Sequence, residues 1–395
     1  MMTGMKGSKL KPGWRHVKFG DVVQLSKARC ADPLAEGVER FVGLEHLEPG
    51  DLRIRSWGNV ADGVTFTSVF KPGQVLFGKR RAYQRKVAIA DFSGVCSGDI
   101  YVLESADPQV LLPDLLPYIC QTDPFFEHAV GTSAGSLSPR TNWGNLASFQ
   151  LYLPSIEEQL VQLDALRAVQ AVANASEDVR DQVRILEQSW LHTRFENGIG
   201  TWQTVELQQA GDLQLGLKKE REYDLCTDPK PFLRVANIGD GELFLDDVRQ
   251  MDFPGHRFER HRLLSGDILL TEGDIVSPWN VGRAAIFRNE IENCCIQNTL
   301  MRFRPNVAVH PDFALAAFRY MRLKGIFVRA AVTTTVSHLV DFRVRKVKMP
   351  FPSMAEQIAI GSEHTELLAG RKSSETRSSA AQATLAQAIN EILLP

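Results

Sequence analysis

The sequence predicts a mixed α/β protein (α+β) with two tandem, pseudo-symmetric domains joined by two long antiparallel coiled-coil helices. Three observations predict this fold class. Short segments of the first half recur in the same order in the second half. Each half contains short strand-like apolar runs, and each ends in about forty residues with helical periodicity. The length of 395 residues is sufficient for two or three domains.

The duplication rests on four pairs of segments. They are 13–17 with 201–205, 41–44 with 232–235, 72–76 with 265–269, and 153–159 (LPSIEEQ) with 351–357 (FPSMAEQ). Trp14 and Trp202 are 188 residues apart, whereas Pro154 and Pro352 are 198 apart, as loop insertions would produce. A single match could arise by chance, but four in the same order indicate a repeat of just under 200 residues.

The first part of each repeat is rich in short runs of Val, Ile, Leu and Phe that are bounded by Gly, Pro, Asn and Asp. Such runs predict β-strands. The predicted strands include residues 74–77, 86–90, 100–103, 267–270, 284–287 and 299–303, with short helices at 114–119 and 313–321.

The last part of each repeat predicts a long helix. Ser155 with Glu158, and Ser353 with Glu356, have the spacing of a capping box at a helix start. Apolar residues follow at steps of three or four, with one step of seven, at Leu160, Leu163, Leu166, Val169, Val172, Val179, Val183 and Leu186. The second helix is expected to run from Ser353 to about Leu394, with seam positions Ile358, Leu367, Leu385, Ile389 and Ile392.

These patterns give the predicted boundaries. The domains are expected at 1–153 and 198–351, and the helices at 154–197 and 352–395. A helix of forty residues is about 60 Å long and needs a partner along its length. If a two-fold axis relates the repeats, the two helices are that pair and run antiparallel.

The composition is that of an ordinary globular chain, with 44% hydrophobic residues and a formal charge of −2. The six cysteines form no C-x-x-C pair, which favours a reduced, cytoplasmic protein without a zinc framework. No uncharged apolar run reaches the length of a membrane span, and the first residues do not resemble a signal peptide. We therefore expect a cytoplasmic protein that does not contact membranes.

No sequence motif predicts catalysis. The chain lacks a phosphate-binding loop of the G-x-x-x-x-G-K-S/T type and a glycine-rich dinucleotide fingerprint. The segment Thr122 to Phe125 comes nearest to a methyltransferase tetrad but lacks its second proline. His256 and His261 are five residues apart and are expected to be solvated or structural rather than metal ligands. The expectation is a binding protein without catalytic residues, metal or a cofactor of its own.

A basic segment in the first repeat predicts contact with nucleic acid. Residues 78–86 (GKRRAYQRK) place five cations and a tyrosine between two predicted strands. Such side chains neutralise phosphates or donate to guanine in the major groove, although a solvated basic loop is the simpler alternative. The candidates here are Lys79, Arg80, Arg81, Tyr83, Arg85 and Lys86.

The second repeat has different chemistry at the corresponding point, at 272–283. Its candidates are Glu272, Trp279 and Arg283, with Arg283 near the place of Lys86. Two loops of different chemistry at one position would read two different DNA sequences.

Polar turns supply further candidates, although each is individually more typical of a turn or a paired strand residue. In the second repeat they are Gln297, Asn298, Thr334, Thr335 and His338. The counterparts in the first repeat are Ser97-Gly98 and residues 135–142, where the candidates are Ser136, Arg140 and Asn142.

On these residues the chain resembles the specificity subunits of type I restriction–modification systems. The marks are LPSIEEQ at 153–159, FPSMAEQ at 351–357, the basic-aromatic segment 79–88 and LLTEG at 269–273. Ala82 stands where the basic segment of that family often has proline. The resemblance covers nearly the whole chain.

The resemblance implies a non-catalytic DNA-reading subunit with two target-recognition domains. Each domain would bind one half of a split DNA site, and the helices would fix the gap and dock two methyltransferase (modification) subunits. Those partners would carry S-adenosylmethionine and methylate adenine. A restriction subunit that uses ATP and Mg²⁺ is a further candidate partner.

Two alternatives remain open from the sequence. One is a coiled-coil assembly protein without direct base readout. The other is a self-contained DNA modification enzyme with a degenerate site.

Overall fold

The computed structural model describes residues 13–218, 220, 228–274, 281–333 and 337–394. The chain forms two compact units, one from Met1–Glu177 with Thr376–Pro395 and the other from Asp178–Glu375. Each unit therefore contains a β-rich part and a portion of both long helices. The mixed α/β class predicted from the sequence is confirmed.

The described part of the first unit contains ten short strands. They are β1 (Arg15–Lys18), β2 (Val23–Leu25), β3 (Arg40–Val42), β4 (Gly58–Asn59), β5 (Ser68–Phe70), β6 (Val75–Gly78), β7 (Val87–Ile89), β8 (Gly94–Cys96), β9 (Ile100–Ser105) and β10 (Gln150–Leu153). Four short helices accompany them and the first long helix follows: α1 (Phe19–Val22), α2 (Leu116–Ile119), α3 (Asp123–Gly131), α4 (Trp143–Ala147) and α5 (Ile156–Glu196).

The second unit has strands in a closely similar order. They are β11 (Gln203–Glu206), β12 (Gly211–Leu215), β13 (Pro229–Leu233), β14 (Arg249–Asp252), β15 (Ile268–Thr271), β16 (Gly273–Asp274), β17 (Ala284–Ile286), β18 (Cys295–Ile296), β19 (Leu300–Pro305), β20 (Ala331–Thr333), β21 (Ser337–Leu339) and β22 (Lys348–Phe351). Its helices are α6 (Leu207–Ala210), α7 (His256–His261), α8 (Pro311–Leu323), α9 (Ile326–Ala330), α10 (Asp341–Arg345) and α11 (Met354–Leu393).

The strand order shows that the two units repeat one topology. The antiparallel sheet β2-β9-β6-β7 of the first unit corresponds to β12-β19-β15-β17 of the second. The parallel pair β3/β8 corresponds to β13/β18, and the antiparallel pair β1/β10 corresponds to β11/β22. The duplication inferred from four short matches is therefore a duplication of the fold.

The recurring Pro-Ser motif connects the β-rich part of each unit to its long helix. The Trp14 indole donates to Glu158 Oε2 at 2.9 Å, and the Trp202 indole donates to Glu356 Oε1 at 3.2 Å. The predicted caps are present, because Ser155 Oγ accepts from the Glu158 amide and Ser353 Oγ from the Glu356 amide. The motif thus fixes the start of each helix against the first strand of its own repeat.

The buried Gln of the motif makes the second connection. Gln159 Nε2 donates to the Val110 and Pro154 carbonyls at 2.9 and 3.0 Å, and its Oε1 accepts from the Leu112 amide at 3.0 Å. Gln357 repeats this pattern with Ala308, Pro352 and His310. Both glutamines are almost completely buried, and buried amides require such partners.

The helices α5 and α11 run antiparallel within each unit. In the first unit Gln162, near the start of α5, donates to the Ile392 carbonyl near the end of α11 at 3.0 Å. In the second unit Glu187 of α5 pairs with Arg371 of α11. Arg194, further along α5, pairs with Glu363, which is nearer the start of α11. The two predicted long helices and their direction are confirmed.

The buried face of these helices differs from the predicted apolar positions. Leu163, Leu166, Leu385 and Ile389 are buried, but a set predicted from periodicity is largely exposed: Leu160, Val172, Val179, Leu186 and Ile358. The buried face instead includes polar residues, among them Gln170, Glu177, Glu187, His364, Arg371, Ser374 and Ser378. The prediction failed there because it assumed that the buried face would be apolar throughout.

Candidate nucleic-acid interface

The basic segment of the first unit is a tight turn between β6 and β7. A single 3-10 turn spans Ala82–Gln84, and Arg81 and Arg85 on either side have left-handed backbone angles, with φ of 53° and 54°. Ala82 is buried, and the Arg81 amide donates to the Pro139 carbonyl at 2.7 Å. The buried Ala82 and this hydrogen bond fix the backbone of the turn, and its cations project from that fixed backbone.

The structure brings a second predicted segment, 135–142, against this turn. Arg80 and Arg140 form a backbone bridge, and their side chains share Asp99, with Arg80 NH1 at 3.3 Å and Arg140 Nε at 2.7 Å from its oxygens. The hydrogen bond and the charge of Arg140, together with the hydrogen bond and the charge of Arg80, hold the pKa of Asp99 below its ordinary value. Asp99 therefore stays ionised and orients both guanidinium groups.

The cations of the turn fall into two groups. Arg80 and Arg81 donate to Ser138 Oγ at 3.0 and 3.3 Å, and the Lys79 ammonium lies 4.6 Å from the centre of the Tyr101 ring. These contacts orient Lys79, Arg80 and Arg81 at the end of the sheet. The Tyr83 side chain next to them is 55% exposed.

Arg85 and Lys86 contact neighbouring parts of the fold. Arg85 donates to the Gln121 carbonyl at 2.9 Å, pairs with Asp123 at 2.6 Å and lies over the Phe126 ring. Lys86 Nζ donates to the Leu44 carbonyl at 2.7 Å.

Two further candidates lie in the segment 135–142. Ser136 is exposed, and Asn142 caps α4, where its Oδ1 accepts from the Asn145 amide at 2.8 Å.

Backbone hydrogen bonds identify the corresponding positions in the second unit. The Glu272 amide donates to the Thr299 carbonyl as the Lys79 amide does to Asp99, at 2.8 and 3.0 Å. The Thr271 amide donates to the Arg283 carbonyl as Gly78 does to Lys86, at 3.0 Å in both units. Arg283 thus occupies the backbone position of Lys86, as the sequence comparison suggested.

The polar pair of the second unit also has its predicted counterpart. The Gln297 amide donates to the Leu233 carbonyl at 3.1 Å, as the Ser97 amide does to Val42 at 2.9 Å. Asn298 donates its amide to the Leu217 carbonyl at 2.8 Å, and both side chains are half-buried.

Glu272 is the central carboxylate of this site. Its backbone carbonyl accepts from the Leu339 amide at 2.7 Å and its Oε2 accepts from the Thr299 amide at 3.2 Å. Burial raises the pKa of Glu272, and the nearby His338 partly offsets that rise. The exposed His338 lies on β21, opposite Gly273 of β16. The candidates Trp279, Thr334 and Thr335 lie outside the described residues.

The structure adds residues that the sequence comparison did not select. Asp99, Tyr101 and Ser138 organise the cations of the first unit, and Thr299 binds Glu272 in the second. Asp99 directly follows the predicted polar pair 97–98, and Thr299 directly follows the pair 297–298. Aligning the two repeats at these pairs would have indicated both residues from the sequence.

Two further searches of the described part of the chain were negative. No three His, Cys, Asp or Glu side chains converge there as metal ligands would. In the same residues, none of the helices is long and apolar enough to cross a bilayer.

No protein-family model matches the sequence. Over 156 residues the chain is 29% identical to the type I restriction enzyme EcoDI specificity subunit of Escherichia coli. The aligned region covers 37% of this chain and 32% of that protein, about a third of its length.

Solved structures match over nearly the whole chain. A chain from a study of complex assembly and conformational transition in the type I R-M system has a TM-score of 0.59 at 18% identity, covering 98% of this chain and 99% of its own. The type I restriction–modification S subunit from M. genitalium has a TM-score of 0.56 at 14% identity, covering 98% of both chains. The chain therefore has the fold of these type I structures, and its resemblance to the type I restriction–modification specificity subunits is confirmed.

Proposed function

We propose that this chain is the non-catalytic DNA-specificity subunit of a type I restriction–modification complex. Each β-rich part acts as a recognition domain that reads one half of a bipartite DNA site, and α5 and α11 set the gap between the halves. The observation that carries the proposal is a polar site built at the same sheet edge of both repeats, with different charged residues in each. The sequence similarity to a type I specificity subunit supports it.

The first site offers hydrogen-bond donors. Arg80, Arg81 and Arg140 are oriented by Asp99 and Ser138, and guanidinium groups held in this way bind phosphates or the N7 and O6 atoms of guanine. Lys79 adds a point charge suited to a phosphate.

The second site offers an acceptor where the first has a cation. Glu272 stands at the backbone position of Lys79, and a carboxylate accepts from the amino group of cytosine. The amides of Gln297 and Asn298 are suited to adenine, and His338 to a phosphate or a base edge. Opposite charges at this one position would recognise different half-sites, which supports an asymmetric target.

The partners in this proposal are double-stranded DNA and two methyltransferase subunits, with restriction subunits as a further partner. S-adenosylmethionine would be bound by the methyltransferase, and ATP and Mg²⁺ by the restriction subunit. The formal charge of −2 agrees with partners that supply part of the phosphate binding. The complex would act in the cytoplasm.

The test is to express this chain with the methyltransferase subunit encoded beside it in a host without DNA methylation. Sequencing the host genome for modified bases should reveal a split motif with a methylated adenine in each half, absent when this chain is omitted. An intact complex without new methylation would favour a coiled-coil assembly protein. Methyl transfer by the purified chain alone would favour a self-contained modification enzyme.

A further inference from the structure

A cluster of arginines and carboxylates connects the β-rich part of the first unit to α5. Glu177 of α5 accepts from Arg53 NH2 at 2.6 Å and from Arg55 NH2 at 2.5 Å. Asp51 pairs with the other nitrogens of the same arginines, at 3.2 and 2.5 Å. Burial by itself would raise the pKa of Asp51, but the hydrogen bonds and charges of Arg55 and Arg53 outweigh it and lower that pKa. Asp51 and Glu177 hold both guanidinium groups between them.

The second unit contains a related cluster of arginines and carboxylates around Glu187 of α5, which also includes the buried His364. Arg319 of α8 donates to Glu187 Oε1, and Arg371 of α11 donates to Oε2 at 3.1 Å. Asp240 accepts from Arg319 through its carboxylate at 3.0 Å and from Arg371 through its carbonyl at 2.5 Å. Glu187, Arg319 and Arg371 are all buried, and the cluster joins α5, α8 and α11.

The aspartates of the two clusters come from corresponding loops, whereas the arginines lie in different elements: Arg53 and Arg55 follow Asp51, and Arg319 and Arg371 lie in α8 and α11. Asp51 and Asp240 follow the 3-10 turns Leu44–His46 and Val235–Asn237, which have the same side-chain cap. Glu177 and Glu187 lie in the same helix, and both are on its buried face.

Stability alone is a weak reason for such clusters, because desolvation offsets much of the attraction within a buried ion pair. Their distinguishing property is direction: a guanidinium group held between two oxygen acceptors, as Arg371 is, has one preferred orientation, whereas apolar contacts are not directional.

We propose that Glu177 and Glu187 are positioning residues that fix each recognition domain on the helices and so restrict the length of the DNA gap that the complex accepts. This inference rests on the proposed function. It assigns the choice of gap to these clusters as well as to the length of the helices.

The test uses the complex reconstituted with its methyltransferase partner and DNA duplexes that carry both half-sites at gaps varied by single base pairs. The variants are Glu177→Gln and Glu187→Gln. The matched control is Asp164→Asn, which removes an exposed carboxylate from the same helix. The readout is the ratio of the methylation rate at the preferred gap to the rate at gaps one base pair shorter or longer. Thermal denaturation of each variant is recorded in parallel.

The wild type and Asp164→Asn should be selective for one gap. In the glutamine variants the ratio of methylation rates should fall by about tenfold, which corresponds to the loss of one charged hydrogen bond. Glu187→Gln leaves two buried arginines without their shared carboxylate and can prevent folding. Arg371→Lys tests the same cluster more gently, because its single ammonium group cannot reproduce the two-sided geometry of the guanidinium.

Unchanged gap selectivity in Glu177→Gln and Arg371→Lys would overturn the inference, even if both melted at lower temperature, because the clusters would then only stabilise the units. A wild-type complex that is intact but methylates no gap would instead overturn the proposed function.

Discussion

Lys79 and Glu272 occupy one backbone position in the two copies of the fold, with opposite charges. Their neighbours differ accordingly. Lys79 is followed by arginines that Asp99 and Ser138 orient, whereas Glu272 accepts from the Thr299 amide. The same scaffold thus presents donors in one unit and an acceptor in the other. Single residues at this position are expected to change one half-site only.

Replacing Lys79 or Arg81 by Ala should weaken DNA binding by the complex and reduce its dependence on salt. For each phosphate that a variant no longer binds, the slope of log K against log salt should become shallower by about 0.9. Lys71→Ala is the control, because Lys71 is exposed and precedes β6, whereas the basic turn follows the other end of that strand. Binding measured by fluorescence anisotropy at several salt concentrations checks this. Equal slopes for all three variants would contradict a DNA-contact role for the turn.

His364 should make the folded protein sensitive to mild acid. It is buried, accepts from Arg319 NH1 at 2.9 Å, and burial followed by the charges of Arg319 and Arg371 lowers its pKa from 6.5 to about 3. Below pH 6.5 the unfolded chain therefore binds a proton that the folded protein does not. Stability should fall by up to about 1.4 kcal/mol per pH unit between those values.

Urea unfolding at pH 7 and pH 5 measures this effect. The wild type should lose about 2 kcal/mol more than His364→Gln, which keeps an acceptor for Arg319 but cannot be protonated. His192→Gln removes an exposed histidine of α5 and should behave as the wild type does. The same loss in wild type and His364→Gln would show that His364 is not responsible.

At the scale of elements, the repeated motif makes the long helices part of the units they follow. The Trp–Glu and Gln–carbonyl hydrogen bonds fix the first turn of α5 and of α11 to the preceding β-rich part. Most of the stability of a helix in a protein comes from tertiary packing, so contacts along the buried face support the rest of each helix. The start of each helix is therefore defined by side chains, not by helix propensity.

Gln159→Ala should destabilise the first unit by about 2–3 kcal/mol, because it leaves two carbonyls and one amide without their partner. Gln182→Ala, at an exposed position of the same helix, should change stability by no more than about 0.5 kcal/mol. Chemical denaturation of the purified variants measures the difference. Similar values for the two variants would show that the motif does not fix the helix start.

At the scale of the molecule, the length of the helices should set the DNA gap. Seven residues inserted after Val172, with seven after Gln382 in α11, preserve the seam because seven residues are two turns of a coiled coil. The insertion lengthens the pair by about 10 Å, close to three base pairs at about 3.4 Å each. Genome-wide methylation should show both half-sites unchanged and a longer gap.

Insertions of five residues at the same points are the control, because they rotate the buried face away from its partner and should reduce assembly. A seven-residue variant that changes the half-site sequences would contradict the role of the helices as a spacer.

The sequence allowed the repeat, the strands and the long helices to be predicted. Hydrophobic period, capping residues and repeated motifs are local signals, and local signals are what a single sequence carries. The basic turn and segment 135–142 were both selected, but their contact through Asp99 and Ser138 was not, because it joins residues about forty to sixty positions apart.

The duplicated architecture and the resemblance to type I specificity subunits follow from patterns along the chain. Folding brings Arg81 to Ser138 and Arg85 to the Gln121 carbonyl, and no pattern along the chain distinguishes these two arginines. Folding also places Glu177 and Glu187 on the buried face of the helices, in place of an unbroken apolar seam. The physical reason is that a charge has no fixed role along the chain; its role depends on the partners that folding brings within hydrogen-bond distance.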